Sequence, residues 1–165
     1  MSVTEEAAAD LAFRARALAQ AHALSAAAQR LMNRAVADEA RTQPRPEFGA
    51  WAGSAFTQGY CLRRVEEGGA DVVVTERPDD RLDEAASACA ADVRSGGGDP
   101  TTVAALDLLV GSQVENRLEP WRDELDDETW ASLEQYLTWW VVKGYGLRLA
   151  ETNLAETNTA TSRPT

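Results

Sequence analysis

The chain has 165 residues, 27 of them acidic and 16 basic, for a formal net charge of −11. That length suits one domain with a real hydrophobic core, and the 44% hydrophobic and 26% charged fractions are ordinary for a globular protein. The acidic balance argues against binding a phosphate backbone or an anionic membrane surface, and no apolar run approaches the roughly 20 residues of a membrane span.

The start, MSVTEEAAAD, lacks the basic and apolar regions of a secretory signal, so a cytoplasmic location is expected. There Cys61 and Cys89 are expected to be reduced and buried. Lys143 is the sole lysine, and with the abundant alanine this composition points to a GC-rich bacterial genome.

Residues Thr4 to Arg41 read as one long alanine-rich helix, with Glu5 and Glu6 in its first turn. A seam of Ala17, Ala21, Leu24, Ala28, Leu31 and Ala35 keeps four-three spacing and predicts close approach of a partner helix. Beside it a second row is apolar at its ends and polar around His22 and Ser25. His22 is the only histidine. In a polar notch it suits a base or a ligand, but no second histidine or Glu-x-x-His spacing accompanies it, so no metal site is expected. Thr42-Gln-Pro-Arg-Pro ends the helix.

The stretch Phe48 to Leu62, FGAWAGSAFTQGYCL, carries no charge and reads as the central helix of the fold, running from about Glu47 to Glu67. Gly49 and Gly53 share a face that Phe56 and Tyr60 continue. Each interior glycine costs roughly 1 kcal/mol against alanine. Three of them, with Gly59, call for compensating close packing or for a helix made irregular beside a pocket. Trp51, Phe56 and Tyr60, with His22 and Trp140, are the candidate ligand-binding residues.

Gly68-Gly69 closes this helix. Asp71 to Thr75, DVVVT, is a strand signal whose only partner would be Tyr145 to Leu149; unpaired, it is an extended connector or an edge open to a second copy. A short helix from Pro78 to Arg94 carries the stripe Leu82, Ala86, Cys89, Val93. The joint Ser95 to Gly98 lacks the lysine of a phosphate-binding loop, and Asp99 takes the place a phosphate would need. Asp99-Pro100 opens a fourth helix to Glu119, with Val103, Leu106, Val110, Val114 and Leu118 as its apolar face.

Pro120 ends that helix, and Trp121 closes over the core. Asp123, Glu124, Asp126, Asp127 and Glu128 form the densest acidic run; it lacks the alternation of a calcium loop and offers a docking patch for basic side chains. The fifth helix runs to at least Lys143, with a bulky seam of Trp130, Leu133, Leu137, Trp140, Gly144 and Leu147. Tyr136, Trp139 and Lys143 occupy a second face, the candidate protein interface. Gly144-Tyr-Gly146 is expected to fray this helix, and the polar residues after Glu151 to be disordered.

The expectation is therefore an all-α fold: an irregular bundle of about five helices over residues 1–151, with one short extended segment and a disordered tail over 152–165. No catalytic set converges and no cofactor motif is present. The functional expectation is a non-enzymatic protein that self-associates or binds a protein partner through Tyr136, Trp139, Lys143, Asp123, Glu124, Asp126 and Asp127. Neither nucleic acid nor membrane is expected as a partner. The alternative is a small-molecule-binding bundle, extending to catalysis, with a pocket near His22 and Trp51, Phe56, Tyr60 and Trp140.

Overall fold

Small residues decide where the helices of this chain meet. The computed structural model describes residues 2–21, 23–42, 47–68 and 78–162, with side chains described to Asn153. All secondary structure among these residues is helical. Six α-helices run in the order α1 (Val3–Gln20), α2 (Ala26–Thr42), α3 (Glu47–Glu66), α4 (Asp79–Asp92), α5 (Pro100–Arg117) and α6 (Asp127–Ser162). A π turn (Val93–Gly97) follows α4, and a 3-10 turn (Glu119–Glu124) precedes α6. No helix of the described residues is long and apolar enough to cross a membrane.

α3 lies at the centre, and thirteen of its twenty residues are buried, so it has no solvent face to speak of. It crosses α6 backbone to backbone. A Cβ added at Gly59 would lie 1.8 Å from the Val141 carbonyl oxygen, and one at Gly144 would lie 1.9 Å from that of Phe56. Gly146 also brings α4 close, though less so, since its Cβ would lie 2.6 Å from the Ala86 carbonyl oxygen. The glycines of α3 are thus offset by packing within a regular helix. Likewise Gly144-Tyr145-Gly146 does not fray α6, because the two helices packed there hold its backbone.

Other expectations change. The first predicted helix is two helices, since α1 ends at Gln20 and α2 begins at Ala26. Ser25 accepts a hydrogen bond from the Ala28 amide at 3.0 Å, which caps α2. The Ala28 and Leu31 half of the predicted seam is buried in α2, but Ala17 is exposed, and α1 instead buries Ala8, Ala12 and Ala15. Asp99 caps α5 through the Thr101 amide at 2.7 Å, as its sequence suggests. The buried face of α5 is nevertheless rotated to Thr102, Ala105, Leu106, Leu109 and Gln113, leaving Val103 exposed. Two polar residues enter the core because α3 supplies partners: Glu66 accepts from Thr102, and Ser54 from Gln113 at 3.1 Å. 

Asp71 to Thr75 falls outside the described residues, and its proposed strand partner, Tyr145 to Leu149, is helical. α6 also runs through 152–162, where a disordered tail was expected. Extending an anchored helix carries no nucleation cost, and Ala155, Glu156 and Ala160 favour it, with no proline before Pro164.

The glycine contacts give a sharp contrast. Gly144→Ala is expected to destabilise the protein by more than about 3 kcal/mol, because backbone blocks relief on both sides. Gly111→Ala, whose Cβ would meet nothing within 4 Å, is expected to stabilise it by about 0.5–1 kcal/mol. Urea melts of the two variants test both.

Candidate functional site

α2 and α4 touch only sparingly above α6. Arg30 bridges them through a two-pronged contact to Asp79 at 3.1 and 3.0 Å, and Arg34 reaches Asp80 at 3.6 Å. Beneath these bridges lies a cavity of about 200 Å³. Leu31 and Ala35 of α2, Phe56 of α3 and Trp139, Trp140 and Leu147 of α6 supply its apolar lining. Arg34, Asp38 and Glu39 of α2, Asp83 of α4 and Lys143 of α6 supply its polar side.

Lys143 is only 9% exposed, which is tolerable for a cation only with partners. Asp83 provides a carboxylate oxygen at 2.9 Å and its carbonyl at 3.4 Å, and Ser87 accepts a further hydrogen bond. The ammonium also lies 5.9 Å from the centre of the Trp139 ring, and the Arg94 guanidinium lies 5.7 Å from it. Such cation–π contacts contribute about 0.5–1 kcal/mol where exposed and more where desolvated.

A run of aromatic rings leads away from the cavity. Phe56 meets Trp140 edge-on at 6.3 Å, Trp140 meets Tyr136 at 6.3 Å, and Tyr136 meets Phe48 at 6.3 Å. Phe48 then packs on Trp51 at 5.0 Å. The Tyr136 hydroxyl donates to Glu39 at 2.9 Å, and burial together with that carboxylate pushes its pKa well up. The buried Trp140 indole N–H makes no hydrogen bond of good geometry; the Tyr136 hydroxyl is the polar group beside it. At the far end of the run Phe48 and Trp51 line a second, mainly apolar cavity of about 220 Å³.

The predicted ligand set is therefore divided. Phe56 and Trp140 meet in the cleft, Trp51 belongs to the second cavity, and Tyr60 lies in a sealed polar cluster. His22 falls outside the described residues. The predicted interface is divided too. Lys143 is turned inward, and Tyr136 and Trp139 are half-buried against groups of the same chain, whereas Asp123, Glu124, Asp126 and Asp127 are exposed. Asp126 accepts from the Thr129 amide at 2.7 Å and so caps α6.

The sealed cluster went unread in the sequence. Glu151 and Arg148 of α6 and Tyr60 of α3 are each 0% exposed. The Glu151 carboxylate accepts from the Tyr60 hydroxyl at 2.5 Å and from Ser25 at 2.6 Å. Arg148 donates to Tyr60 at 3.3 Å and pairs with Glu67 at 2.9 Å. Burial pushes the Tyr60 phenol up to about 12. It pushes the buried Cys61 thiol to about 12 as well, so neither that thiol nor the half-buried Cys89, both free, is an activated nucleophile. Among the described residues no group of acidic, histidine and cysteine side chains is placed to hold a metal ion. The sequence signal for the cluster is slight: Arg148 and Glu151 stand three residues apart, a spacing equally at home on a wet helix end.

Burial raises the Glu151 carboxyl above its ordinary 4.5, against the opposing pull of Ser25, Tyr60 and Arg148. The folded chain thus holds this proton more tightly than the unfolded one. Its contribution to stability is full below the unfolded carboxyl range and is lost as pH rises through the folded value. In denaturant melts from about pH 4 to about pH 8, Glu151→Gln is expected to gain on the wild type as pH rises. Arg148→Met, which removes the buried ion pair to Glu67 and the hydrogen bond to Tyr60, is expected to cost about 3–5 kcal/mol in the same melts.

No protein-family model matches this chain, and no curated protein or solved structure matches it, so the functional reading is built on the geometry of its own residues.

Proposed function

We propose that this protein binds a small amphipathic molecule in the cleft between α2, α4 and α6. The observation that supports this reading most is the meeting of an aromatic floor, Phe56 and Trp140, with the Lys143–Asp83 ion pair in one cavity. Ligand sites characteristically combine apolar walls with a few fixed polar groups. A cavity of about 200 Å³ exceeds the roughly 150 Å³ that holds benzene and falls short of the roughly 300 Å³ at which drug-sized sites begin. The ligand is accordingly one ring, or a branched chain of similar bulk, with a single polar head.

Lys143 sets the character of that head. Its present partner, the Asp83 side chain, is 47% exposed, so a ligand carboxylate can replace it while Asp83 turns to solvent. Exchange of one carboxylate for another leaves the buried ammonium paired throughout, which avoids the cost of an uncompensated charge. This reading assigns no reaction, and it puts Trp139 in the wall of a ligand site, with Tyr136 packed behind Trp140, rather than at a subunit interface.

Phenylacetate tests it. It is expected to shift the indole N–H signals of Trp139 and Trp140 in a titration followed by NMR. Ala35→Trp, which fills the cleft, is expected to abolish the shifts, and Lys143→Met to weaken binding about tenfold or more. Indole signals that no ring-sized carboxylate moves, or binding indifferent to Lys143, would overturn the proposal. A dimer in light scattering that Trp139→Ala dissociates would return that face to an interface role.

A further inference from the structure

The second cavity lies where the first turn of α3, the 3-10 turn and the start of α6 converge. Its walls are Phe48, Trp51, Trp121, Leu125 and Leu133. At about 220 Å³ it again has room for one ring, since roughly 150 Å³ is enough for benzene. Unlike the cleft, it has no cation among its described lining residues. Its polar liners are Thr129 and Glu47.

The described surroundings are predominantly negative. Residues 119–128, which supply Trp121 and Leu125, contain six carboxylates and a single cation, Arg122. That cation is held by Glu119, with two contacts of 3.1 Å, and lies over the Trp130 ring at 4.6 Å. Asp123, Glu124, Asp127 and Glu128 stand exposed around the turn, and Asp126 caps the helix whose Thr129 lines the cavity. The positive helix ends here, those of α3 and α6, already carry carboxylates: Glu47 on one, Asp126 to Glu128 on the other. An anionic head group meets repulsion on entry, whereas a cationic one meets Glu47 and the surrounding field.

We propose that this cavity is a second binding site, taking a small hydrophobic cation: one aromatic ring or a short branched chain that bears an ammonium or guanidinium group. The ring fills the space between the two indoles, and the charge stays at the rim beside Glu47. The site is independent of the cleft, and its liners are separate from those of the cleft.

Phenethylamine and phenylacetate, which share a ring and differ in charge, decide the matter on the full chain. The signals read are the indole N–H resonances of Trp51 and Trp121, so binding in the cleft at Trp139 and Trp140 is seen separately. At low salt the amine is expected to move these two signals with an affinity about tenfold or more above that of the acid. That preference is expected to shrink at about 0.5 M salt as the field is screened. Leu133→Trp, which fills the cavity, is expected to abolish the response. The double change Glu47→Gln with Asp126→Asn leaves the walls untouched and is expected to bring amine and acid within about threefold of each other, so the test stands even if the filled variant folds poorly. Equal affinities at low salt, Trp51 and Trp121 signals that the amine leaves unmoved, or a folded Leu133→Trp chain that binds the amine undiminished would each overturn the proposal.

Discussion

The crossing of α3 over α6 is the contact on which the rest of the molecule depends. At Gly59 and Gly144 the carbonyls of Val141 and Phe56 occupy the space where side chains would begin, so the two backbones touch directly. Gly146 extends the same device to α4 through Ala86 and Ala90. Close-packed interiors allow no slack at such points, because a single added carbon must displace backbone rather than a flexible side chain. With no side chains between the helices at the crossing, the large ones are sent to either side of it.

Those two sides differ in character. Toward the start of α6 the displaced side chains are aromatic, and the run Phe56, Trp140, Tyr136, Phe48 and Trp51 stands between two cavities. The rings meet at 5.0 to 6.3 Å, and a cavity lies at each end of the run. Toward the end of α6 the side chains are polar and sealed. Tyr60 and Ser25 bond Glu151, and Arg148 bonds Tyr60 and pairs with Glu67, with no exposure for Glu151, Tyr60 and Arg148. Burying such a group yields little net stability but penalises any arrangement that leaves a member unpaired. Ser25 belongs to that cluster, which is why the chain breaks between α1 and α2 at that point.

Charge is distributed with similar economy. The sole lysine is buried beside two tryptophans, and arginines tie α2 to α4 at the mouth of the cleft. The excess of carboxylates is left outside, concentrated from Glu119 to Glu128 around the apolar cavity. One cavity therefore presents a buried ammonium and the other a negative rim. Two cavities of similar size, at opposite ends of one aromatic run, thereby differ in the charges around them.

Much of the fold was legible in the chain because it is written locally. Alanine content, the Asp99-Pro100 start, the proline stops and the glycine-rich joint place most helices, since propensity and capping act over a turn or two. The uncharged stretch from Phe48 to Leu62 identified the central helix, and its glycines signalled close packing before any partner was known. The bulk of Phe56 and Trp140 marked them as candidate site residues, and they do meet. What the chain could not reveal was set by residues far apart. The break at Ser25 answers to Glu151, the rotation of α5 answers to Glu66 and Ser54 on α3, and the inward turn of Lys143 answers to Asp83. Each is a polar side chain that reads as solvent-facing by pattern and is buried because a partner from another helix satisfies it. Helix identity is a property of neighbouring residues along the chain, and so the sequence determined it; the placing of buried charge and the shape of the cavities depend on which backbones touch at Gly59 and Gly144, and only the tertiary structure decides that.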